Sequence, residues 1–178
     1  GGMRFNASHS GSVENCVLRH IKEPTGSPYF GIGIVCDGAM TISDNVLTDI
    51  GRVGIWIGTS ASTVTRNLYT GKGTGDWIDY GIEVGASGVA TIASNVIVNC
   101  KGVAESDGSG SAAILVTDYY GTGTRATIVN NTLTGNTSGI MVGYDEEDGS
   151  VVEAHRNDLS GNTGYGIDMI GAVPVDAT

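Results

Sequence analysis

Apolar and polar residues alternate along this chain in short runs, and no segment keeps the 3.6-residue apolar period of an amphipathic helix. Runs such as Thr63-Val64-Thr65 and Thr91-Ile92-Ala93 put every second side chain on one face, as a strand half buried against a core requires. Two landmarks recur. The first is an asparagine set between two such runs, at Asn15, Asn45, Asn67, Asn95, Asn131 and Asn157. The second is a Gly-Ile pair opening a further run, at Gly31-Ile32, Gly54-Ile55, Gly81-Ile82, Gly139-Ile140 and Gly166-Ile167, with Ala113-Ile114 in its place once.

The asparagines follow one another at intervals of 30, 22, 28, 36 and 26 residues. A period in the twenties, stretched by insertions, is that of a solenoid in which each repeat makes one coil. The expected fold is all-β: a right-handed parallel β-helix of about six coils, with three short parallel sheets and an asparagine ladder at one turn. Residues 1–178 would form a single domain, or a section of a longer solenoid. Asn tolerates left-handed backbone angles and bonds within turns, so the six asparagines are expected both to shape the turn and to stack. Gly before each Ile is expected to allow a sharp entry into the third strand.

From Ser12 to about Met169 the pattern resembles the repeat shared by pectate-lyase-like proteins, carbohydrate-active β-helix domains and NosD-type copper proteins of the periplasm. The resemblance implies the fold and, through its carbohydrate-active members, a surface that binds or cleaves polysaccharide. Such folds usually close the N-terminal end with an amphipathic helix. Met3 to Gly11 is too short and too polar to do so, and an open sheet edge is a template for pairing. A neighbouring domain or a second chain is therefore expected to cap the open ends.

Composition narrows the partners. The 29 Gly against 3 Pro, without a three-residue period, exclude collagen and a disordered linker. A formal net charge of −10 repels nucleic acid and anionic membrane, and neither is expected as a partner. No stretch approaches the ~18 apolar residues of a membrane span. No signal peptide is visible, although the expected location of the full-length protein is extracellular or at the cell surface. Cys16, Cys36 and Cys100 are odd in number and lack C-x-x-C spacing, so they read as small buried hydrophobes. His9, His20 and His155 are dispersed, and no metal site is expected from them.

Candidate chemistry lies in the insertions between the asparagine strands and the Gly-Ile strands. These are long at Lys22–Phe30, Lys72–Tyr80 and Lys101–Ser111, so the second coil is expected to lie in a groove between walls. The residue after each Ile should point outward, which gives the column Gly33, Trp56, Glu83, Leu115, Met141 and Asp168. Trp56 would floor the groove, and Trp77, Tyr80, Tyr119 and Tyr120 could join it, because aromatic faces suit the apolar face of a sugar ring. Trp56, Leu115 and Met141 are either part of this strip or are covered by the loops. Glycoside hydrolysis needs two carboxyl groups ~5–9.5 Å apart; Glu83 with Asp79 or Asp76, and Asp118 with Asp145, are the candidate pairs. A lyase would use a basic residue, for which Lys72 and Lys101 stand at matching positions of adjacent loops. The run Asp145-Glu146-Glu147-Asp148 could gather Ca²⁺, although an acidic hairpin tip accounts for it more simply. Two functions follow: a carbohydrate-binding or polysaccharide-processing module, hydrolase- or lyase-like, and a non-catalytic structural or adhesin-like segment of a larger surface protein.

Overall fold

The computed structural model describes residues 1–23, 31–171, 173 and 175–178. A lead strand, β1 (Met3–Phe5), precedes six coils. They are β2 (Ser10–Glu14), β3 (Val17–Ile21) and β4 (Ile32–Cys36); β5 (Ala39–Ser43), β6 (Val46–Ile50) and β7 (Val53–Ile57); and β8 (Ala61–Thr65), β9 (Leu68–Gly73) and β10 (Tyr80–Val84). Then come β11 (Val89–Ala93), β12 (Val96–Cys100) and β13 (Ala112–Val116), and β14 (Arg125–Val129), β15 (Thr132–Thr134) and β16 (Ser138–Val142). The sixth coil holds β17 (Val151–His155) and β18 (Ile167–Met169), and β19 (Asp176–Ala177) follows it. Every strand pairs in parallel with its counterpart in the next coil, giving sheet A (β1-β4-β7-β10-β13-β16-β18), sheet B (β2-β5-β8-β11-β14-β17-β19) and sheet C (β3-β6-β9-β12-β15). This is the expected right-handed parallel β-helix.

Like stacks on like inside the tube. Ile34, Ile55, Ile82, Ile114, Ile140 and Ile167 form one continuous row across sheet A. Val13, Ile42, Val64, Ile92, Ile128 and Ala154 line sheet B. Leu18, Leu47, Tyr69, Ile97 and Leu133 line sheet C. Each such aliphatic side chain contributes about 1.5–3 kcal/mol when fully buried, and each relies on the coils above and below to exclude water.

The asparagine ladder is real but begins one coil later than the spacing suggests. Asn45, Asn67, Asn95 and Asn131 each donate the backbone N–H and Nδ2 to Oδ1 of the next asparagine, at 2.9–3.0 Å, ending on Asn157. Each Nδ2 also reaches a carbonyl of the preceding coil, as Asn95 does to Val64 O at 2.9 Å. Asn15 is not a rung. Cys16 holds that position, and its N–H donates to Asn45 Oδ1. Asn15 instead aligns with Asp44, Arg66, Ser94, Asn130 and Arg156, all with φ between 54° and 59°. The left-handed residue of this turn is thus the one before the ladder asparagine. A second, shorter stack stands after sheet C, where Cys100 N–H donates to Asn136 Oδ1 and Asn136 N–H to Asn162 Oδ1.

The glycine landmark also needs correcting. In coil 1 the register places Gly33-Ile34, not Gly31-Ile32, opposite Gly54-Ile55. Gly54 lies inside β7 without a positive φ, so it makes no sharp entry. It is there because a Cβ would sit 2.4 Å from Gly81 O and 2.5 Å from the Tyr69 ring.

Removing one rung isolates buried donors and acceptors on both sides of it. Asn95→Ala is expected to cost about 3 kcal/mol or more in urea denaturation. Asn15→Gly should leave stability unchanged or raise it by under about 1 kcal/mol, because Gly adopts the left-handed angle at Asn15 without strain. Equal losses in the two variants would contradict this ladder.

Candidate functional site

The outward face of sheet A carries the candidate chemistry. Strand register builds the column Arg4, Val35, Trp56, Glu83, Leu115, Met141 and Asp168. Val35 replaces the expected Gly33, a consequence of the same shift of register. Beside it runs a second outward column, Ile32, Val53, Tyr80, Ala112 and Ser138. Val53, Tyr80, Ala112, Leu115 and Met141 are buried together as an apolar cluster outside the tube, with Trp56 half buried against it. The face of a sheet that would ordinarily be wet is therefore a second core with polar groups set into it.

Two walls flank this face. The loops 72–80 and 101–111 form one wall by packing on each other: Asp76 Oδ1 accepts Glu105 N–H at 2.8 Å, and Tyr80 Oη donates to Gly110 O at 3.3 Å. The other wall is made by the turns between sheets A and B, where Trp56, Tyr120, Tyr119 and Tyr144 meet edge to face in sequence, with ring centroids 5.2, 4.7 and 4.6 Å apart. The three tyrosines are exposed. Two concavities open on this face. The upper one, of about 600 Å³, is lined by Arg4, Ile32, Val35, Asp37, Trp56 and Tyr120. The lower one, of about 430 Å³, includes Tyr80, Leu115, Met141, Tyr144, Tyr165 and Asp168. Most of the expected first-coil wall, Pro24–Phe30, lies outside the described residues.

Glu83 stands between the two concavities, with Trp56 on one neighbouring strand and Leu115 on the other. It is 3% exposed, and among the described residues the Arg52 charge, and no hydrogen bond, acts on its carboxyl. Burial pushes its pKa up to about 7, with the Arg52 charge pulling weakly the other way.

The remaining candidates fall elsewhere. Asp79 is fully buried and serves the interior: it accepts from Tyr69 Oη at 2.5 Å and from Lys72 N–H at 2.6 Å. Tyr69 occupies a position that is otherwise Leu or Ile, and its hydroxyl needs a buried acceptor. Burial raises the Asp79 pKa, and the Tyr69 and Lys72 hydrogen bonds oppose the rise. No Glu83–Asp79 pair forms. Lys72 is tied down as well, donating Nζ to Gly51 O and lying 4.9 Å from the Trp77 ring centroid, with its pKa lowered chiefly by burial. Trp77 folds onto its own loop, donating Nε1 to Gly73 O. Lys101 does not match Lys72, because an extra residue in β9 sets Cys100 opposite Gly73.

Asp118 and Asp145 both act on Tyr144, whose pKa is raised first by its hydrogen bond with Asp145 and also by the Asp118 charge. One oxygen of each is engaged locally, by Gly149 N–H and Glu147 N–H. The acidic run forms a turn. Buried Asp148 accepts from Thr117 Oγ1 and from the N–H groups of Asp118, Tyr144 and Ser150. Among the described residues no three His, Cys, Asp or Glu side chains converge to hold a metal.

The roles of Tyr144, Tyr165 and Asp37 escaped the reading of the sequence. Tyr119-Tyr120 and Tyr144 each follow a sheet A strand closely, and that shared placement was the available signal.

The buried carboxyl ties stability to pH. Glutamate titrates near 4.5 when unperturbed and near 7 at Glu83, so the fold favours the protonated form. The stability this supplies is complete below pH 4.5 and is lost as pH rises through 7, by about 3 kcal/mol at roughly 1.36 kcal/mol per unit. Glu83→Gln, followed by thermal melting across pH 4–9, should flatten that decline and melt higher than the parent above neutrality. A parent curve without the decline would refute the assignment.

The family model described as periplasmic copper-binding protein (NosD) matches residues 1–162. No curated protein and no solved structure matches the chain. The match takes in all six asparagine units and both walls of the sheet A groove, and the matched family is one of right-handed parallel β-helices, so this chain belongs to the NosD family.

Proposed function

We propose that this protein binds an oligosaccharide along the outward face of sheet A and does not cut it. The observation that carries the reading is the edge-to-face strip Trp56–Tyr120–Tyr119–Tyr144 bordering an apolar trough that runs across the coils. Sugar rings offer an apolar face to aromatic side chains and hydroxyls to the carboxyl groups at the trough's margins, Asp37 and Asp168. Binding is favoured over hydrolysis because Arg52 is the charge that acts on Glu83, and no second carboxylate does so. A lyase is disfavoured because Lys72 is committed to Gly51 and Trp77.

The family description names copper, and the donors in this chain fit it poorly. Copper sites use His, Cys and Met. Cys36 and Cys100 are enclosed in the core with thiol pKa values raised by burial, that of Cys36 to about 12. His20 pairs with Asp49, and His155 lies 2.6 Å from Thr178 Oγ1. The family description also favours work in the periplasm or at the cell surface, where glycans are at hand. A second reading, a spacer within a longer solenoid, draws on β1, β2 and β3, each of which pairs on one side only and would accept a capping domain or chain.

Screening the folded protein against neutral, acidic and amine-bearing oligosaccharides tests the proposal. At least one class should bind, and Trp56→Ala should weaken that binding by about 10- to 100-fold in protein whose cooperative melting shows that it remains folded. Undiminished binding by this variant would remove the groove from consideration, and silence across the panel would favour the spacer.

A further inference from the structure

Resting on that groove reading, we infer that the preferred ligand is an amino-sugar oligosaccharide, with one protonated amine seated against the carboxylate of Glu83 at the junction of the two concavities. Glu83 is an almost wholly buried acid on the outer face of a sheet, where a solvated side chain could stand in its place. Among the described residues no hydrogen bond acts on its carboxyl, and Arg52 acts on it through charge. A buried carboxylate is normally satisfied by two or more donors, and one left without them is costly to ionise. An ammonium supplies three donors and the compensating charge at once, which fits an acceptor-only group.

The surroundings agree in sign. Trp56 and the exposed tyrosines offer π faces that attract a cation. Asp37 lies in the upper concavity and Asp168 in the lower, so further amines along the chain would also meet carboxylates. The formal charge of −10 favours a cationic ligand over an acidic one. Arg52, ahead of β7, is the charge that acts on Glu83, and Glu83 in turn helps burial raise the pKa of Tyr80 on the same strand. Arg4, in the upper concavity, is 3.8 Å from Asp37. A uronic sugar would bring a second negative charge to Glu83, and a fully acetylated amino sugar would bring none to balance it.

The proton accounting gives a distinctive signature. The amine enters charged and remains so. Near neutral pH part of the Glu83 population is protonated, and binding an ammonium releases that proton to the buffer, whereas binding a uronate would draw a proton in. Titration calorimetry in two buffers of different ionisation enthalpy, with glucosamine, N-acetylglucosamine and galacturonate oligomers, separates the cases. Glucosamine oligomers should bind about tenfold or more tighter than the acetylated ones, with net proton release. Glu83→Gln should abolish both the preference and the release. If the acetylated or uronate oligomers bind as well as glucosamine oligomers, the amine inference is overturned while the groove stands. If no oligomer binds, the groove reading itself falls. The comparison on the parent protein decides the matter even should the variant fail to fold.

Discussion

The fold depends on one constraint: every coil must satisfy its buried polar groups, and shield its apolar ones, with the coil beside it. In a parallel β-helix no strand pairs with its neighbour in sequence, so all pairing is between residues more than twenty positions apart. The asparagine ladder meets this constraint at the tightest corner. There the backbone turns with a left-handed residue, leaving an inward N–H that the preceding strands cannot serve, and the Oδ1 of the next asparagine accepts it together with its own amide. Each rung is thereby fixed to the next at about the spacing of paired strands, and the isoleucine row beneath inherits that register.

The strict register gives rise to the site. Because coil stacks on coil without slippage, an unusual residue on the outer face of sheet A is delivered to the same column as its counterparts. Trp56, Glu83, Leu115 and Met141 are distant in sequence and adjacent in space. The insertions in coils 3 and 4 then cover the apolar members, which converts an exposed sheet into a walled trough. The same insertions withdraw Lys72, Trp77 and Asp79 from it. Each is recruited to hold the loop or to satisfy Tyr69, since a loop that covers a sheet must first anchor its own polar atoms.

Membership of the NosD family goes with the fold and leaves the ligand open, because the residues that define a β-helix are interior and those that bind are outward. Among the described residues Cys36 and Cys100 are sealed in the core, and no three His, Cys, Asp or Glu side chains converge on a metal. The concentration of aromatic rings and one buried acid on a single face supports a different kind of partner, a chain of sugar rings.

Reading the sequence alone recovered the number of coils, the three sheets and the existence of a ladder, because asparagine, glycine and alternating β-branched residues recur at each turn for reasons local to the turn. It also singled out Trp56 and Glu83, since outward positions follow from alternation. It placed the ladder one position early at Asn15, and the glycine pair two residues early at Gly31, because a repeat fixes its own register only when neighbouring coils are laid on it. Nothing local could show that Asp79 turns inward to a tyrosine in the core, or that Tyr119, Tyr120 and Tyr144 close into one strip. Those arrangements are contacts between coils, and the direction a side chain takes in an irregular loop is decided by the partner it finds there.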